Sequence, residues 1–494
     1  MASSGTHVFH PEKELRVLEL YSGIGGMHFA LDNAPVIKEQ NLKYKVVLAI
    51  DINNVANRIY QHNFPDTNMS SSGIEGLTVK QLDKLKIDMI LMSPPCQPFT
   101  RVGKKMDHED VRSKSFLHLL NLLPRLSHCP SYILVENVKG FETSQTRDIL
   151  LQILKKCDFT YQELLLTPLQ MGIPNARLRY YLIAKKRPNS FCFSIKDQVL
   201  YDLPECVYHM LAYRQHAEIQ DKKGKANTKL DMSGKICDQF MIQKDVSLTL
   251  NGENDSLVQK PSAECQSNQN VNMLCKTEDQ SDVDKSVFDE GTKSKRPKFN
   301  NTYNENTEDR LREIVRQFRE IENHNEIFRQ VEDGEHISYG PCLQLVHFLE
   351  TANKREDFDK FRVPDKDLKR FILMDIVNPC SRKSICFTKR YGHFMEGAGS
   401  IIQMTSDVQA VKAATDFKAH AVQTQNRDQW QEEEMEIIRR LELRYFTPRE
   451  IANLLCFPQS FRFPEGLSII QFYRLLGNSL NVYVVSILIS LMLL

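Results

Sequence analysis

The chain has 494 residues, 26% of them charged, and a formal net charge of +1. That length allows roughly two to four domains, and the near-neutral balance excludes a polycation, so nucleic-acid contacts would have to come from basic groups gathered locally. The twelve cysteines show no CxxC pair and no zinc-ligand spacing, and no charged start leads into an apolar core; the reading is a reduced intracellular protein without a disulfide framework or structural zinc.

Residues 1–13 read as a disordered leader. Residues 15–21 form an apolar run of buried-strand composition and lead into Ser22-Gly23-Ile24-Gly25-Gly26. Glycines between a strand and a helix let the backbone approach a ligand closely, with helix N–H groups facing it. Residues 45–50 make a second strand ending in Asp51, where Rossmann-like folds carry the acid that takes the ribose hydroxyls of a nucleoside cofactor. Residues 53–64 have helical spacing. A third apolar run, 87–92, ends in Ser93-Pro94-Pro95-Cys96-Gln97-Pro98-Phe99. Consecutive prolines exclude both helix and ladder pairing, which leaves a stiff loop at a strand end with the Cys96 thiol held in place. A thiol there is either a nucleophile at the ligand-bearing edge of the sheet or a small buried residue.

Residues 113–126 read as a helix, 132–135 as a strand ending in Glu136-Asn137-Val138, 143–157 as a helix and 159–166 as extended chain. Asn175-Ala176-Arg177-Leu178-Arg179 leads into a strand at 180–184. Strands alternating with helices over some 170 residues are the signature of an open α/β sheet.

From 219 to 308 the chain turns to Asp, Asn, Gln, Ser and Lys, too polar to offset its ordering entropy, and reads as a disordered insert. Lys293-Ser294-Lys295-Arg296-Pro297-Lys298 within it is either a nuclear-import patch or a solvated charge run. Helical spacing returns at 311–328, an ordered segment is expected at 368–377 and a charged helix at 432–444. Cys386-Phe387-Thr388-Lys389-Arg390-Tyr391-Gly392 joins aromatic and basic residues, suited to stacking on bases and contacting phosphates; the alternative is a core segment with Phe387 buried. Thr447-Pro448-Arg449-Glu450 opens another helix with an N-cap, a first-turn proline and the Glu of a capping box. The thirteen residues of the membrane-like stretch 482–494 fall short of the ~20 that span a bilayer, which makes a buried terminal helix the reading and a tail anchor the alternative.

Cys96 in its Pro-Pro-Cys-Gln loop, Glu136-Asn137-Val138, Arg177-x-Arg179 and Gly477-Asn478-Ser479 stand in the order of the cytosine-C5 methyltransferase motifs. Ser22-Gly23-Ile24-Gly25-Gly26 resembles that family's first cofactor loop. The resemblance spans about 15–185 and 370–485. Ser93-Pro94-Pro95-Cys96-Gln97-Pro98-Phe99-Thr100, Cys386-Phe387-Thr388 and Leu443-Arg444-Tyr445-Phe446-Thr447-Pro448 are similar to one branch, the tRNA (cytosine-38-C5) methyltransferases. The fold so implied is α/β, a Rossmann-like class I S-adenosylmethionine-dependent methyltransferase with a smaller target-recognition domain. Residues 14–190 would be the first part of the catalytic domain, 309–430 the target-recognition region and 431–494 the part that completes the catalytic domain. The implied activity is S-adenosylmethionine-dependent C5 methylation of cytosine in RNA, at cytosine 38 in the anticodon loop of aspartate tRNA. DNA cytosine-C5 methylation and an inactive nucleic-acid-binding protein are the competing readings.

By the same resemblance the Cys96 thiolate adds to C6 of the base, with Arg101, Lys104 and Lys105 helping to lower its pKa. Glu136, a buried carboxyl, places a proton at N3. Arg179 holds the base, and Arg177 is a structural or phosphate partner. Ile24, Gly25 and Gly26 pass the methionine part of S-adenosylmethionine, Asp51 takes its ribose, Ile52, Ile74 and Glu75 surround its adenine, and Ser93 and Ser479 complete the pocket. Cys386, Phe387, Thr388, Lys389 and Arg390 are expected at the substrate, Phe387 offering a flat face to a base. A monomer acting on tRNA is expected, with no metal and no membrane, in the cytoplasm and, if the basic patch is an import signal, in the nucleus. The end of the chain lacks the mixed charges the resemblance leads one to expect on the closing helix.

Overall fold

The computed structural model describes residues 14–95, 113–207, 328–332, 335–339, 342–350, 355–423 and 430–494. Cys96, Arg101, Lys104 and Lys105, the leader 1–13, the insert 219–308 with its basic patch, and the spacing at 311–327 lie outside the described residues.

The apolar runs of the first half pair into one sheet. β1 (Leu15–Leu20) lies parallel between β2 (Tyr44–Ile50) and β4 (Met89–Met92), and β3 (Met69–Ser70) flanks β2. β5 (Tyr132–Val138) follows β4, and β7 (Arg179–Lys186) runs antiparallel between β5 and β6 (Phe159–Leu166), giving the order β3-β2-β1-β4-β5-β7-β6. Strands buried on both faces read as near-continuous apolar runs; β4 is one throughout, while β1 and β6 carry buried polar residues at Glu19, Gln162 and Glu163. Alternate residues feed two cores: Val17, Met89, Leu91 and Leu134 face one, Leu18, Ile90, Met92 and Ile133 the other. The first is covered by α1 (Gly26–Asn33), α2 (Pro35–Glu39) and α3 (Asn54–Asn63); the second by α4 (Val79–Leu85), α5 (Lys114–Leu122) and α6 (Gln145–Lys156).

Strand β5 runs on through Glu136, Asn137 and Val138, beyond the local reading that stops at 135. The reason is long-range: β7 pairs Tyr181, Tyr180 and Arg179 against them.

The second half adds the antiparallel pair β8 (Phe328–Glu332) and β9 (Glu335–Tyr339), α7 (Asp365–Leu368), and a small sheet in the order β10 (Ile376–Val377), β11 (Ile401–Gln403), β12 (Leu443–Arg444). Helices α8 (Val408–Gln423) and α9 (Glu432–Arg439) lie between β11 and β12 in the chain. The charged helix expected over 432–444 therefore ends at Arg439. Arg444 belongs to β12, where its guanidinium is buried, donates to both Glu450 carboxylate oxygens at 2.8 Å and lies 4.2 Å over the Phe358 ring. Glu450 also closes the expected capping box of α10 (Pro448–Leu454): Thr447 Oγ1 accepts from Glu450 N at 3.1 Å, and Glu450 Oε2 from Thr447 N at 2.8 Å.

Helix α11 (Ile469–Gly477) leads to α12 (Val482–Leu493), every residue of which is buried. It packs on α1 and α2 in the first core, and Val36 N donates to Ser490 Oγ at 3.3 Å. Surrounded by apolar side chains, this helix has no place for the mixed charges expected of it, and its serine hydroxyls bond back to Tyr483 O and Ser486 O.

Candidate active site

The carboxyl ends of β1, β2 and β4 meet where the strand order reverses, the crevice in which open α/β sheets bind ligands. The β1–α1 turn passes through left-handed backbone at Gly23 and Gly25. A side chain at Gly25 would also strike the Phe64 ring at 2.7 Å. Gly23 N donates to Asp51 Oδ2 at 2.9 Å and Asn53 N to Oδ1 at 2.7 Å, which ties the end of β2 to the glycine loop. Burial raises the Asp51 carboxyl and these two N–H groups pull it back. Ser93 Oγ donates to Tyr21 O at 3.1 Å, joining the ends of β4 and β1.

A nucleoside-bearing cofactor fits this crevice. A side chain at Gly23 would meet nothing nearer than 4.0 Å, the buried Ser22 Oγ has no partner, and Ile52, directly after Asp51, is 75% exposed. Ile24 and Ile74 are buried, in different cores, and Glu75 is exposed. Gly26 lies against Ser479, whose hydroxyl would be 3.3 Å from an added Cβ. The two cofactor motifs from opposite ends of the chain are thereby brought together.

Beyond β4 stands the second group of expected residues. Glu136 on β5 is almost wholly buried, and burial raises its carboxyl while Arg179 and Arg177 pull it down. Arg179 Nε, at the start of β7, is 3.6 Å from Glu136 Oε1. Asn137 Nδ2 donates to Pro94 O at 3.4 Å, fixing the loop that leads into position 96. Cys386 Sγ accepts from Arg177 at 3.3 Å and from Arg179 at 3.7 Å. Arg177 is itself buried and donates to the carbonyls of Phe387, Gly477 and Ser479. These bonds brace the backbone at 387 and at 477–479 through one side chain.

The 386–390 stretch thus lies beside Glu136 and Arg179, but not in the manner expected. Phe387 is 2% exposed, its ring edge-on to Tyr391 and Phe446 at 5.0 Å, so it has no face to offer a base. This corrects the stacking role expected of it, because the neighbouring aromatic cluster claims the ring. Lys389 and Arg390 are exposed, Thr388 half-buried, and the exposed ring is Phe394, with the Arg390 guanidinium 5.8 Å over it. Sequence reasoning found no role for Asn175 or Ser384. Asn175 Nδ2 donates to Ser384 Oγ and Ile385 O, both at 3.1 Å, and Ala176 N donates to Ser384 O at 2.8 Å. These bonds align the Arg177 segment with Cys386; an Asn two positions before Arg177 was the available signal. Among the described residues no three His, Cys, Asp or Glu side chains gather as a metal site.

The family model for C-5 cytosine-specific DNA methylases matches residues 15–493. The tRNA (cytosine(38)-C(5))-methyltransferase of Homo sapiens is 40% identical over 97% of this chain and 99% of its own length. A DNA (cytosine-5)-methyltransferase of Dictyostelium discoideum is 32% identical over 97% of this chain and 94% of its own. The crystal structure of a Spodoptera frugiperda DNMT2 mutant superposes with a TM-score of 0.61 at 31% identity, covering 97% of this chain and all of that one. With its sheet order, glycine loop and Glu136–Arg179 pair, the chain belongs to the C-5 cytosine methyltransferase family and has the class I S-adenosylmethionine-dependent methyltransferase fold.

Proposed function

We propose that the protein methylates C5 of cytosine in RNA, at position 38 of a tRNA anticodon loop and in aspartate tRNA foremost, through a covalent bond from Cys96 to C6 of the base. The observation that carries the reading is the Glu136 carboxyl, raised by burial and 3.6 Å from Arg179 beside the loop that leads to Cys96. A carboxyl that keeps its proton can give it to N3 of cytosine, which makes C6 electrophilic. The Cys96 thiolate adds there, and the electron pair moves to C5. S-adenosylmethionine, when bound, supplies the methyl group that this carbon takes up. Loss of the C5 proton then expels the thiolate, and return of the N3 proton to Glu136 restores the neutral ring. Asp51 would hold the ribose, Ile52 the adenine, and the Ser22–Gly26 loop with Ser479 the methionine end. Arg179 would orient the base, and Lys389, Arg390 and the exposed Phe394 would meet the RNA around it.

The RNA target is supported by relatives named for tRNA cytosine 38 at up to 40% identity over nearly the whole chain. Duplex DNA is the second reading, on the Dictyostelium relative named as a DNA methyltransferase. Parallel methyl-transfer assays on anticodon-loop RNA and duplex DNA separate the two. A 5-fluorocytosine-containing RNA should trap the wild-type protein covalently and leave Cys96→Ala free. Turnover by Cys96→Ala above about one per cent of wild type would contradict covalent catalysis, which is worth more than ~3 kcal/mol here.

A further inference from the structure

Away from the site, the sulfur atoms of Cys192 and Cys206 stand 3.5 Å apart. We propose that these two thiols are a reversible disulfide site that pins the 192–206 segment to the free edge of the large sheet.

The segment already lies along that edge. β6 is the outermost strand, and Leu200 bridges to it: Leu165 N donates to Leu200 O at 2.8 Å and Leu200 N to Glu163 O at 2.9 Å. Gln162 adds a bond from Nε2 to Gln198 O at 2.9 Å and accepts one from Lys196 N at 2.8 Å. The two cysteines stand at the ends of this strap, so their sulfur atoms are in contact because the edge holds the strap in place. A disulfide requires ~2.05 Å, a closure of roughly 1.5 Å that side-chain rotation in surface chain can supply.

The environments divide the work. Cys192 is exposed, and the Lys185 ammonium lies within electrostatic reach of it while donating to Ser190 O at 2.6 Å. The thiolate is the form that attacks an oxidant, and the exposed Cys192 sulfur is the one open to it. Cys206 is half-buried beside the buried Leu203 and Val207, and burial with the neighbouring thiol pushes it up to about 12. A peroxide is the co-reactant. The Cys192 thiolate attacks one peroxide oxygen, the O–O bond breaks, and sulfenic acid and the first water result. The Cys206 sulfur then attacks the sulfenic sulfur, the S–O bond breaks, and the hydroxyl leaves with the Cys206 proton as the second water. Two thiols lose two electrons and one peroxide gains them; a dithiol reductant reverses the change. Cys129 and Cys157 also interact, but burial raises both and neither is an exposed thiol.

The strap reaches the site through a chain of bonds. Gln170 Nε2 donates to Tyr201 O and to Asp202 Oδ1, Gln170 Oε1 accepts from Thr167 N at 2.8 Å, and Thr167 Oγ1 accepts from Arg177 N at 3.3 Å. Pinning the strap steadies the turn that carries Arg177.

The test needs no methyl transfer. The reduced full-length protein is treated with a small excess of hydrogen peroxide under native conditions, blocked with N-ethylmaleimide and digested with trypsin. The expected product joins peptides 187–196 and 197–214, which hold Cys192 and Cys206 and no other cysteine. Dithiothreitol should separate them, and the oxidised protein should melt several degrees above the equally treated Cys206→Ser variant. Recovery of Cys192 as sulfonic acid, its linkage to a different cysteine, or an equal yield of the same linkage from urea-unfolded protein would each overturn the proposal, as would linkage without a rise in melting temperature.

Discussion

Arg177 donates to the backbone carbonyl of Ser479, a residue 302 positions away, and to that of Gly477 at 3.2 Å. The same guanidinium holds Cys386 and Phe387, while Ser479 lies against Gly26. One buried cation therefore clamps the 386–387 stretch to the segment that lies against the β1–α1 glycine loop. Gly477 is where the two approach most closely: an added Cβ would lie 2.3 Å from Lys389 N and from the Thr388 carbonyl carbon.

Gly477→Ala should accordingly force the 386–390 stretch off its seat. The neighbours in the way are backbone atoms, which cannot rotate aside, so overpacking of roughly 1–3 kcal/mol is expected. Thermal unfolding would register it as a lower midpoint, and RNA affinity should fall with it. An unchanged midpoint would show that the clamp is loose.

Phe387 and its basic neighbours should separate cleanly on mutation. Phe387→Ala removes a buried ring and should cost about 3–5 kcal/mol of stability. Lys389→Ala with Arg390→Ala should leave the melting temperature alone but weaken RNA binding and flatten its salt dependence, by about one unit of slope for each phosphate no longer neutralised. Phe394→Ala should likewise lower RNA affinity without destabilising the fold. Salt-titrated binding by the double variant that matches wild type would remove this face from substrate recognition.

Asp51→Ala should weaken S-adenosylmethionine binding by about 1–3 kcal/mol in calorimetry. Because the carboxylate also anchors Gly23 N and Asn53 N, some loss of stability should accompany it. Asp51→Asn, which keeps one acceptor, should recover stability more than affinity. Equal recovery of both would mean that the residue only shapes the loop.

Glu19 on β1 gives the fold a pH dependence. Its side chain is fully buried; Tyr60 Oη donates to Oε2 at 2.8 Å and Oε1 has no partner. Burial pushes the carboxyl up to about 8, against the pull of Tyr60 and of the His28 backbone N–H, with Asp51 and Asp32 adding to the rise. The folded state holds this proton where the unfolded chain has lost it. The stability it contributes is thus full below the ordinary carboxylate range and is lost as pH rises through about 8. His28 is lowered to about 4 and stays neutral there, and the Tyr60 phenol is raised well above its usual range. From about 4.5 to about 8 on the pH scale the wild-type melting temperature should fall and then level off, while Glu19→Gln should flatten the curve. Parallel curves would mean that Glu19 is ionised in the native state.

The legible parts of the sequence were those whose cause is local. The β1 and β2 runs, the glycine loop, Asp51 and the Thr447–Glu450 box each carry their own structural reason within a few residues. Three features were settled by distant partners instead. Glu136 continues a strand because Tyr181 pairs with it, and Arg444 leaves a helical pattern because β11 and Glu450 claim it. Phe387 and Phe394 are both aromatic residues beside basic ones, and only the cluster around Tyr391 decides which ring is covered. The alternation of strands and helices could be read from spacing, and the site residues were named through the family resemblance; which side chain faces solvent could be read from neither.

The packing of α12 on α1 and α2 sets a timetable for biosynthesis. Val36 and Ser490, in contact across the first core, are 454 positions apart. At roughly 5–20 residues per second, a ribosome would take on the order of half a minute or more to make the interval between them. For that time the apolar surfaces of α1, α2 and β7 that α12 covers stay open, and Gly26 waits for Ser479. The early strands can form as they emerge, but the Ser479 side of the crevice is missing until the segment before α12 has been made, and the exposed face in between is where a chaperone would act.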